Sequence, residues 1–115
     1  MQDRLGNKVR LNHIIDAIIE IENYTQNVDL DGFINNSMMF NATLRQLEII
    51  GEASNRLTED LLINNPEIPW ARIIGLRNLV IHEYFGIDDL TIWNIIKLNL
   101  PDLKIKIQNL LSETE

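Results

Sequence analysis

Apolar residues in this chain recur every three or four positions, and no stretch shows the two-residue alternation of a half-buried strand. Leu11, Ile14, Ile15, Ile18 and Ile21 with Glu22 carry that period over a first helix predicted from about Asn7 to Gln26. Isoleucine is a mediocre helix former, so packing must hold this helix together. Asp29-Leu30-Asp31-Gly32 reads as a turn with helix-start signals, and a short helical entry is expected over Gly32–Asn36. A second long helix is predicted from near Ser37 to beyond Leu57. Its inward side is marked by Met39/Phe40, Thr43, Leu47, Ile50, Ser54 and Leu57. Gly51 in its middle costs about 1 kcal/mol relative to alanine, and a close helix–helix crossing would explain it.

Asn64-Asn65-Pro66-Glu67-Ile68-Pro69 is the clearest loop. A third helix is expected from Pro69 or Trp70 to Phe85, stopped by Gly86. Asp88 or Asp89 then caps a fourth. Pro101 falls inside that helix's apolar period and must kink or break it, after which Leu103, Ile105, Ile107, Leu110 and Leu111 pack again. The prediction is an all-α, antiparallel bundle of four to five helices, one domain over residues 1–115.

The chain has no cysteine, which excludes disulfides, thiolate metal sites and cysteine nucleophiles. No apolar run reaches membrane-spanning length and the N-terminus lacks a signal-peptide layout, so a cytoplasmic protein without membrane association is expected. The formal net charge of −7 opposes broad, non-specific nucleic-acid binding, yet leaves room for a localised arginine cleft or a basic partner. The two histidines are far apart in sequence, no His/Asp/Glu spacing suits zinc, and no glycine-rich phosphate loop is present. Neither a metal nor a nucleotide cofactor is expected. Any nucleotide transfer must come from a partner.

The chemistry-bearing stretch is Arg77-Asn78-Leu79-Val80-Ile81-His82-Glu83-Tyr84. Arginine grips phosphate, histidine moves protons near neutral pH, and a phenol can accept a transferred group. At 100° per residue, Arg77 and His82 stand roughly 140° apart around a helix, whereas Arg77 and Tyr84 share a face, as do Asn78 and His82. A two-fold pairing of antiparallel third helices would bring two Arg77 and two His82 into one cleft. Arg45, Glu48, Glu52 and Arg56 form a stripe of alternating sign, which pattern alone reads as surface ion pairs. Trp70 and Trp93 read as bundle packing.

The run Gly75 to Gly86 with its Arg-x4-His-x-Tyr core resembles the signature of HepT-type HEPN toxins, small α-helical ribonucleases of toxin–antitoxin pairs. Arg45 to Ala53 resembles a second block, Pro66 to Trp70 a third, and Trp93 and Leu100–Leu103 also fit. The resemblance covers most of the chain. It implies a HEPN-like homodimer and metal-independent cleavage of RNA, with Arg77 and His82 catalytic and Asn78, Glu48 and Glu52 as supporting polar residues. Glu48 or Glu52 would face the Arg77/His82 helix. The resemblance further implies that Tyr84 accepts AMP from a cognate nucleotidyltransferase antitoxin that uses ATP and Mg. Two rival readings stay open: a non-catalytic substrate-binding subunit of a two-component nucleotidyltransferase, and a purely structural helical dimer.

Overall fold

A computed structural model describes residues 4–82 and 88–114, with the side chains of 4, 79–82 and 114 left undescribed. Every regular element among the described residues is helical. Helix α1 (Arg4–Thr25) is followed by α2 (Leu30–Ile34), α3 (Ser37–Asn55), α4 (Glu59–Ile63) and α5 (Trp70–His82). Then α6 (Asp89–Asn94) runs through a π-helical turn (Ile95–Asn99) into α7 (Leu100–Thr114). The expected end of the third helix at Phe85 and Gly86 lies outside the described residues.

The helix starts are chemically marked. Asp29 Oδ1 accepts from the Gly32 N–H at 2.8 Å, Asn36 Oδ1 from Met39 at 3.0 Å, and Asp88 Oδ1 from Leu90 at 3.1 Å. Each satisfies one of the amides a helix N-terminus leaves unpaired. Helix α1 stops where Asn27 takes a left-handed conformation, φ 61°, which asparagine tolerates better than most residues.

Helix α3 is the central element, with α1 and α5 packed along it; α7 closes on α1, and α2 bridges α3 and α6. Leu11, Ile14, Ile18 and Ile21 of α1 and Leu47 and Ile50 of α3 are fully buried, so the predicted inward faces hold. Phe33 is fully buried and stacks obliquely on Phe40 and Trp93, each at 5.3 Å between centroids. Trp70 is buried, and its indole N–H donates to the Asn65 carbonyl at 3.0 Å. Both tryptophans therefore serve packing.

The short entry helix lies at Leu30–Ile34, two residues upstream of the expected Gly32–Asn36, and three further features depart from the pattern expected of the sequence. The second long helix ends at Asn55 rather than beyond Leu57, and a short α4 follows. The break is fixed from afar: Asn7 Oδ1 accepts the Thr58 N–H at 3.1 Å while Asn7 Nδ2 donates to Thr58 Oγ1 at 2.8 Å. Ile105 is exposed, because Leu103, Ile107 and Leu110 already define the inward face of α7 and Ile105 sits about 200° from Leu103. The effect of Pro101 falls upstream of the proline. Pro101 has no N–H, and its ring would collide with the carbonyl four residues back, that of Lys97. The π-turn surrounds Lys97, and the Leu100 N–H donates to the Ile95 carbonyl five residues back.

No described helix is long and apolar enough to cross a membrane. No group of three or more His, Cys, Asp or Glu able to hold a metal comes together among the described residues.

Candidate active site

The site is built where α5 crosses α3. Gly51 is buried at that crossing: a Cβ there would stand 2.7 Å from the Arg77 backbone nitrogen, 3.1 Å from Arg77 Cβ and 3.2 Å from the Ile74 carbonyl oxygen. The missing side chain thus lets the two backbones touch at Arg77. This is the close crossing expected from a glycine in mid-helix.

Held against α3 in this way, Arg77 directs its guanidinium along α3 to Glu52, with Nη1 3.0 Å from Oε2. The Arg77 side chain is about one-third exposed (31%), so it is anchored and still accessible to a ligand. The other oxygen of Glu52 lies 3.9 Å from Nε of Arg56. One carboxylate therefore stands between two arginines. Solvent screens such a pair, and its contribution to stability is about 1 kcal/mol or less. Its effect is on geometry, because it fixes the direction of the Arg77 fork.

Of the two glutamates in the α3 stripe, Glu52 faces α5. Glu48 pairs instead with Arg45 on its own helix, Oε1 to Nη1 3.1 Å. The stripe is thus partly a set of surface ion pairs and partly a support for Arg77. Asn78 is exposed on α5. His82 is the last residue of α5; its side chain lies outside the described residues, as do Glu83 and Tyr84 entirely. The structure accordingly brings Arg77 and Glu52 together, keeps Glu48 apart from them, and gives no position for the His82 imidazole or the Tyr84 phenol.

Chemically, an arginine fork that is held but exposed is a receptor for a phosphate or carboxylate group. On an all-α bundle it marks a small helical anion-binding protein. The particular family follows from comparison with known proteins. The family model described as "HepT-like: Ribonuclease HepT-like" matches residues 14–110. The chain is 40% identical over 101 residues to "Putative RNase MJ1380" of Methanocaldococcus jannaschii, covering 88% of this chain and 93% of that protein. It is 38% identical over 105 residues to "Probable ribonuclease HepT" of Thermococcus cleftensis, covering 91% of this chain and 96% of that one. No solved structure is a significant match. The chain belongs to the HepT-like ribonuclease family and is a ribonuclease.

Proposed function

We propose that the protein is a cytoplasmic, homodimeric, metal-independent endoribonuclease toxin acting on tRNA or mRNA, neutralised by AMP transfer from a cognate nucleotidyltransferase antitoxin. The observation that carries the reading is the accessible Arg77 fork, fixed by Glu52 at the Gly51 crossing, on the same helix as His82.

In this reading His82 takes the proton of an RNA 2′-hydroxyl, whose oxygen attacks the adjacent phosphorus. The bond to the 5′-oxygen breaks, and that oxygen leaves with a proton. The ends are a 2′,3′-cyclic phosphate and a 5′-hydroxyl. Arg77 holds the phosphate and offsets the charge that gathers on it in the transition state. Asn78, four residues before His82, shares its face and orients the ring or donates to phosphate. A two-fold dimer supplies a second His82, so that one imidazole accepts the proton and the other provides one. The roughly 140° between Arg77 and His82 supports the composite cleft. So does the open side of α5: an apolar cleft of about 380 Å³ lies between α5 and the π-turn, lined by Ile73, Leu76, Ile95, Leu100 and Leu103. A second copy could seat its own α5 there.

Purified protein incubated with total tRNA in EDTA, without nucleotide, is expected to cut it and leave cyclic-phosphate ends. RNA that is bound and left whole would instead favour a substrate-binding subunit of the nucleotidyltransferase.

Silencing is expected at Tyr84. The phenol oxygen attacks the α-phosphorus of ATP held with Mg by the antitoxin, pyrophosphate leaves, and the phenol proton passes to solvent. The product adds about one negative charge per AMP, seven residues from Arg77 in sequence. Intact-mass spectrometry after incubation with the partner should show the gain on wild type and none on Tyr84→Phe. Equal gains on both, or none on wild type, would leave inhibition to steric capping.

A further inference from the structure

We propose that the groove between α1 and α3 is a second phosphate-binding subsite that carries the RNA strand away from Arg77; this rests on the ribonuclease reading. The groove encloses about 440 Å³ and is lined by Arg10 and His13 of α1, by Arg45 of α3 and by Arg56 at the C-cap of α3, with Val9 and Ile49 as apolar wall. Glu52 lines it as well, and through Glu52 it joins the active-site arginine, since that carboxylate touches both Arg56 and Arg77.

The charge is concentrated here. Arg10, Arg45, Arg56 and Arg77 are four of the chain's ten Lys and Arg residues, with Glu48 and Glu52 paired among them, on a protein whose formal net charge is −7. A polyanion is therefore drawn to this groove and repelled from the rest of the surface. The spacing favours a polymer. Arg45 on α3 and Arg56 at its C-cap are eleven residues apart, which places them within about 20° of one face and their backbones roughly 16 Å apart along the axis. A single inorganic phosphate meets both only if the two side chains fold toward one another, whereas a strand can meet each where it stands. Both side chains are about two-thirds exposed, 66% and 68%, so their ion pairs with Glu48 and Glu52 can be exchanged for phosphate. Arginine is also the side chain whose fork fits phosphate oxygens in pairs. Val9, which is 44% exposed, and Ile49 offer apolar surface to ribose and base between those phosphates.

The test is equilibrium binding of a short single-stranded RNA bearing 2′-O-methyl groups, which lacks the attacking hydroxyl, measured by fluorescence anisotropy across a salt series. Cleavage of the unmodified strand is followed in parallel. Arg45→Gln/Arg56→Gln is expected to weaken binding about tenfold and to make the salt slope shallower by about 0.7 for each phosphate no longer neutralised. Arg45→Lys/Arg56→Lys should recover the salt slope and part of the affinity, since it restores the charge without the fork. Lys106→Gln removes one charge on α7 and should change affinity less than about twofold. An unchanged affinity and slope in the double Gln variant, with folding verified by circular dichroism, would overturn the proposal. So would equal competition by polyglutamate, which would reduce the groove to a general anion attractor or an acidic-protein site. The expected binding behaviour with no cleavage of the unmodified strand would count against the ribonuclease reading and not against the groove.

Discussion

Replacing Arg77 or His82 by alanine should remove RNA cleavage almost entirely while leaving the bundle helical. Loss of a positioned charge donor to a developing oxyanion costs on the order of 10²–10³ in rate. Loss of a general acid–base group costs about 10²–10⁴. Arg77 is partly exposed and its ion pair with Glu52 is screened by solvent, so truncating it should lower stability by about 1 kcal/mol or less. Activity and stability are thereby separable in one variant. Mixing Arg77→Ala chains with His82→Ala chains extends the test. In a cleft that draws Arg77 from one copy and His82 from the other, subunit exchange restores part of the activity. A folded double variant that still cuts RNA at the wild-type rate would refute the assignment. Sedimentation as a monomer at micromolar concentration would remove the composite cleft.

Gly51→Ala is expected to be damaging for a substitution that adds one methyl group. In an ordinary helix it would gain about 1 kcal/mol. Here the methyl would meet the Arg77 backbone nitrogen at 2.7 Å and the Ile74 carbonyl at 3.2 Å, and neither can rotate away. Overpacking of this kind costs about 1–3 kcal/mol, and the gain in helix propensity offsets only part of it. The melting temperature should fall by several degrees. Cleavage should fall further than stability predicts, because α5 must lift off α3 at Arg77, the residue proposed to grip phosphate, and small misplacements cost up to about 10²-fold. Gly75→Ala is the contrasting case. It lies on the same helix as Arg77 with no atom within 4 Å of the new methyl, and the chain alone should become more stable by about 1 kcal/mol. Thermal unfolding of both variants reads the sign directly. A Gly51→Ala protein as stable and active as wild type would mean that the crossing is not tight.

Features that depend on periodicity were legible in the sequence. The buried faces of α1 and α3, the start of α3 at Ser37, a cap at Asp88 or Asp89 (it is Asp88) and the crossing at Gly51 all follow from local spacing and residue type. Long-range hydrogen bonds were not legible. The break between α3 and α4 depends on Asn7, which is 51 residues from Thr58 in sequence. The choice between Glu48 and Glu52 was hidden for a related reason. The two are one turn apart on one face, and only the height at which α5 crosses α3 decides which of them reaches Arg77. The α1–α3 groove had half a signal. The arginine stripe was visible on α3, while Arg10 and His13 gave no sign of belonging with it until α1 was laid alongside.

The π-turn ahead of Pro101 also changes how residues count along the last helix. Ile92, Ile96 and Leu100 are all buried, at strict intervals of four. In an uninterrupted α-helix each such step would rotate the buried side by about 40°. The wider turn, with bonds reaching back five residues, winds more slowly and cancels that drift. Leu103, Ile107 and Leu110 then resume the ordinary alternation of three and four on the same inward side.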